Sequence, residues 1–213
     1  MKKAFKVSLT FMAVLLSIAF AWAEGVGGTK VTTTRSWDFT KGKNHADQVT
    51  DCEYWSASTS GRYSLAKALE DQEMPGNDGV LTGLEGLYLT VPSAVYGVSG
   101  NYCLQGNEIT IRIPNCGAND EIIVDFATSN KNNEATLNSD DIIETETFSH
   151  TATSSGETSK ETVHAKADGD VVLKVFCSKG ARLYSVTVNP YVGELPDEPR
   201  DPNSMAKEQK HTF

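Results

Sequence analysis

Between residues 87 and 188, apolar and polar positions alternate in one short segment after another. Ile109, Ile111 and Ile113 are separated by Thr110 and Arg112, so one face of a strand is buried and Arg112 points outward. Ile122, Val124 and Phe126 oppose Glu121 and Asp125, and Val171, Leu173, Val175 and Cys177 oppose Lys174. Leu87, Leu89 and Val91 alternate with Tyr88 and Thr90 before Pro92, and Tyr184, Val186 and Val188 share a face after Lys179-Gly180. Many short strands punctuated by turn residues predict an all-β sandwich or barrel. Gln105-Gly106-Asn107-Glu108 reads as a hairpin turn into the isoleucine strand. Helical periodicity is nearly absent. Ser64–Glu73 is the one run of good helix formers, and it reads as a short helix or a loop turn.

The ends of the chain follow different rules. Met1–Lys6 carries three lysines, Val7–Phe20 is almost wholly apolar, and Ala21-Trp22-Ala23 supplies small residues at a cleavage point. Residues 1–23 are therefore expected to be a cleaved signal peptide, since an apolar run of about 14 residues is too short for a span of about 20. A flexible segment 24–31, a sandwich domain 32–190 and a disordered tail 191–213 containing Pro196, Pro199 and Pro202 follow. Asn130–Asp140 and Ser149–Lys160 read as loops or polar edge strands.

Export sets the redox expectation. Cys52, Cys103, Cys116 and Cys177 all follow the cleavage point, and an even number in an exported chain suggests disulfides. Three pairings are open, with buried free thiols as the alternative. The expected location is the periplasm, the cell surface or the exterior, with no membrane span in the mature chain. Net charge is −9 for the whole chain and about −12 without the signal lysines, a surface that repels nucleic acid.

Enzyme signatures are missing. The histidines, His45, His150, His164 and His211, have no metal-ligand spacing, and no H-E-x-x-H, G-x-S-x-G or P-loop occurs. Asp140, Asp141, Glu144 and Glu146 supply carboxylates of the kind a glycosidase pairs, but within polar strands they read as a solvated face. No cofactor is called for. The Asn and Asp clusters at 77–78 and 138–141 leave room for a structural calcium ion, although neither matches an EF-hand loop. Sugar recognition needs flat aromatic rings and a few planar polar groups. Tyr88 and Arg112 face outward by strand parity, and Trp55, Tyr63 and Tyr96 are candidates for a rim. Trp55 and Tyr54 serve equally as a cap on the core near Cys52, while Trp37 is assigned to the core.

Arg35-Ser36-Trp37-Asp38-Phe39-Thr40 at the start and Leu183-Tyr184-Ser185-Val186-Thr187-Val188 at the end, with Leu104–Pro114 and Ala167–Leu173 between them, resemble the jelly-roll, carbohydrate-binding-module-like domains of secreted Bacteroidetes proteins. Such domains often stand beside pectate lyase or esterase domains. The resemblance implies a galactose-binding-like jelly-roll β-sandwich whose first and last strands pair, with Trp37 and Phe39 in the core. Only a short tail follows the sandwich here. The expected function is therefore a non-catalytic module that binds a polysaccharide or other glycan through exposed aromatic and polar side chains. A structural or adhesive surface protein making protein contacts is the second reading, and a carbohydrate-active enzyme with paired carboxylates the third.

Overall fold

A computed structural model describes residues 32–57, 61–97, 103–154 and 157–193. The expected signal peptide, the 24–31 segment and the tail from Glu194 lie outside the described residues. Fourteen strands account for most of the described residues: β1 (Arg35–Asp38), β2 (Trp55–Ala57), β3 (Arg62–Leu65), β4 (Leu69–Gln72), β5 (Pro75–Gly76), β6 (Gly79–Val80), β7 (Tyr88–Val91), β8 (Ala94–Gly97), β9 (Leu104–Cys116), β10 (Glu121–Thr128), β11 (Glu134–Asn138), β12 (Phe148–Thr151), β13 (Ser159–His164) and β14 (Gly169–Asn189). The fold is a jelly-roll β-sandwich, and all pairings are antiparallel.

One layer runs β12-β11-β14-β9-β7-β4 and uses the first half of β14 and the second half of β9. The other runs β13-β10-β14, continues through β1 and the start of β9 lying end to end, and finishes β8-β3-β2. β9 and β14 thus belong to both layers. Each crosses at an irregularity, where the register slips between Phe176 and Ala181. Gly180 takes φ +106 there, and a Cβ at Gly106 would stand 2.9 Å from Ser93 O, so both crossings use residues without side chains.

These crossings overturn two expectations. Gln105–Glu108 is no hairpin turn but the first part of a 13-residue strand, and Lys179-Gly180 bends a 21-residue strand without ending it. The helical expectation also moves: Ser64–Glu73 spans the end of β3 and all of β4, whereas short helical turns occupy Phe39–His45 and Ala46–Val49. Asp38 caps the first of these by accepting from Thr40 N at 2.9 Å.

The core fills the space between the layers. Ile109, Ile111, Ile113, Leu89, Leu173 and Leu137 from one side meet Trp37, Ile122, Val124, Phe126, Val163 and Val186 from the other. Trp37 is buried and donates its indole N–H to Glu85 O at 2.7 Å. β1 pairs β14 from Arg35 opposite Val188 to Asp38 opposite Ser185, joining the first and last strands as the resemblance implies. All four cysteines are buried and free, so the disulfide framework of Cys52, Cys103, Cys116 and Cys177 is not formed. Burial raises the thiols of Cys103 and Cys116 to about 11, which makes them small apolar side chains. Among the described residues no helix is long and apolar enough to cross a membrane.

Candidate functional site

The aromatics expected to form a sugar platform are dispersed. Trp55 is 5% exposed and Tyr96 is 0% exposed; both pack in the core, their rings 5.9 Å apart, and neither can cover a ligand. Trp55 donates to Pro75 O at 2.7 Å, and Tyr96 Oη bonds the buried His45 Nδ1 at 2.7 Å. Tyr63 is half-buried, with its hydroxyl 3.4 Å from Thr50 Oγ1.

Tyr88 and Arg112 do meet, as a cross-strand pair of β7 and β9. The Arg112 guanidinium lies 4.1 Å from the Tyr88 ring centre, and it donates Nε to Asp71 at 2.7 Å and Nη1 to Asp170 at 2.9 Å. Asp71 takes φ 49 at the β4–β7 irregularity, which turns its carboxylate onto the arginine. Each partner is used, and the guanidinium already covers the ring face that a sugar would need.

An open arrangement lies instead at one end of the second layer. His164 on β13, Glu121 on β10 and Asn189 on β14 are successive cross-strand partners. Their side chains share one face of the sheet over about 10 Å, while the adjacent Val163, Ile122 and Val188 point into the core. Glu144 accepts His164 N–H at 2.9 Å and the ring Nδ1–H at 2.7 Å. A carboxylate only accepts, so this bond fixes a proton on Nδ1 and leaves Nε2 without a partner among the described residues. Burial alone would raise the Glu144 carboxyl, but the His164 bonds outweigh it and hold it below its ordinary range. Asn189 donates to Glu121 Oε1 at 2.7 Å and accepts from Thr34 at 3.1 Å.

The buried carboxylate of Asp120 builds the rim. It accepts Gly117 N–H at 2.7 Å and Tyr191 N–H at 2.8 Å, tying the 117–120 turn to the chain beyond Pro190. Asn119 takes φ 65 in that turn, and its side-chain amide has no hydrogen-bond partner among the described residues. Tyr191 is 37% exposed and Val192 95%, and a Cβ at Gly193 would collide with the Tyr191 ring. Asn119, Glu121, His164, Asn189, Tyr191 and Gly193 help enclose a cleft of about 470 Å³, within the range of small-ligand sites. Tyr191 was assigned to the disordered tail and His164 only to the absence of a metal motif. Strand parity put Glu121 outward, but nothing in the sequence gives the register that sets the three side by side.

Two other clefts are more fully spent. In one of about 490 Å³, His45 donates to Thr82 O at 2.9 Å and Gln48 accepts from Thr82 N–H at 3.0 Å. In one of about 410 Å³, Asp141 accepts Val172 N–H at 2.9 Å. The calcium expectation gains no ligand set: among the described residues no three His, Cys, Asp or Glu side chains converge on a metal position. Asn77 bonds Asp47 O and Asp51 N.

No family model matches the chain, and no curated protein does. Solved structures give distant likenesses. A Podospora anserina GH26-CBM35 β-(1,4)-mannanase matches 78% of this chain at 9% identity and TM-score 0.34, and the chain spans 29% of that protein. The C-terminal CBM6 of a laminarinase from Zobellia galactanivorans matches 74% at 11% identity and TM-score 0.30, with 99% of the module covered. A cleaved adhesin domain of Lys-gingipain from Porphyromonas gingivalis matches 75% at 10% identity and TM-score 0.34, also with 99% covered.

Proposed function

We propose that the chain is an exported, non-catalytic glycan-binding module that holds its ligand in the cleft between Asn119 and Gly193. The observation that carries this reading is the row His164, Glu121 and Asn189 beside the partly exposed Tyr191. A pyranose offers an apolar C–H face to such a ring and hydroxyls to planar polar groups. The row and its rim retain unspent capacity in His164 Nε2, the second Glu121 oxygen and the Asn119 amide.

A glycan array probed with the folded chain tests the reading. Tyr191→Ala and Asn119→Ala are each expected to weaken binding by about tenfold, with circular dichroism unchanged, while Tyr88→Ala binds as the parent does. Failure to bind any glycan, or binding that ignores both cleft substitutions, overturns it.

A further inference from the structure

The charge of this cleft is lopsided, and the imbalance selects a ligand class. This step rests on the glycan-binding reading. The groups with remaining acceptor capacity are the Glu121 oxygen not engaged by Asn189 and Asn119 Oδ1. Donors are present as well, in the Asn119 amide and the second N–H of Asn189. Charge is one-sided. Glu121 lines the cleft, Glu144 stands directly behind His164, and the buried Asp120 carboxylate lies under the Tyr191 backbone. Neither lysine nor arginine is among the lining residues.

We infer that the cleft selects glycan ends by charge, accepting neutral and amino-bearing sugars and rejecting uronic acids. A neutral sugar offers hydroxyl protons to the acceptors. An ammonium group adds attraction to Glu121 and to the Tyr191 ring face. A uronate would bring a fourth carboxylate into a partly desolvated site whose lining holds neither lysine nor arginine to meet it, and like charges at this range cost affinity. The cleft volume of about 470 Å³ suits the end of a chain rather than a long run of it.

The test compares matched neutral, amino and uronate tetrasaccharides of gluco and galacto configuration, titrated calorimetrically against the full chain at pH 7 and low salt. The expected order is amino at or above neutral, with neutral above uronate by about tenfold or more. In Glu121→Gln the gap between neutral and uronate narrows several-fold, and raised salt narrows it in the parent. Uronates that bind as tightly as neutral sugars, or a ratio that Glu121→Gln leaves unchanged, overturn the inference. If those uronates lose binding in Asn119→Ala, the glycan reading survives and the charge selection alone falls. If no member of any series binds, both fall.

Discussion

The clasp of Tyr88 and Arg112 and the row of His164, Glu121 and Asn189 are built from the same kinds of side chain on the outer faces of the two layers. They differ in how much of their bonding is internal. In the clasp, two carboxylates and a ring surround one guanidinium, so it holds four strands of one layer together and has little left to offer a ligand. In the row, each internal bond fixes an orientation and leaves a neighbouring atom open. The clasp is spent on the fold, and the row is available to a ligand.

The comparison can be broken experimentally. The largest effect is expected at Asp120, because Asp120→Ala strands the N–H groups of Gly117 and Tyr191 together. Urea unfolding should show a loss of about 3 kcal/mol, with glycan binding lost because the Tyr191 rim is released. Removing the clasp should do less. Arg112 is partly exposed and its acids more so, so after solvent screening Arg112→Ala should cost about 1 kcal/mol, less at high salt, with glycan binding intact. Measurable loss of binding in that variant would erase the distinction between the regions.

The smallest effect concerns acid. Glu144 is held below its ordinary range in the fold, so its contribution to stability is complete above the unfolded carboxylate value of about 4.3. That contribution is lost as pH falls through the lowered value. Unfolding midpoints recorded from pH 6 to pH 3 should therefore decline less steeply in Glu144→Gln than in the parent. Parallel curves would show that the bond to His164 does not stabilise the fold.

Strand faces were legible because burial imposes a period of two. Arg112 and Tyr88 were placed outward correctly, as was Glu121, and Trp37 was placed inward. Strand ends and partners were not legible. A Gly-Asn pair and a Lys-Gly pair look like turns whether they end a strand or bend it between layers, and the structure bends both. Trp55 shows the same limit, since a polar loop-like stretch of sequence does not reveal that Pro75 O waits for its indole N–H. The candidate site was hidden for a related reason. His164, Glu121 and Asn189 become neighbours only through the registers of three strands, and Tyr191 is retained by a buried carboxylate 71 positions earlier.

The sharing of β14 between the two layers fixes the timing of folding. It is the last strand among the described residues, Gly169–Asn189, yet it lies at the centre of both layers. A chain emerging from the ribosome or a translocation pore can pair β10 with β13 and β11 with β12 as they appear, but β1 has no partner until β14 follows. Neither layer is complete before that strand joins its halves.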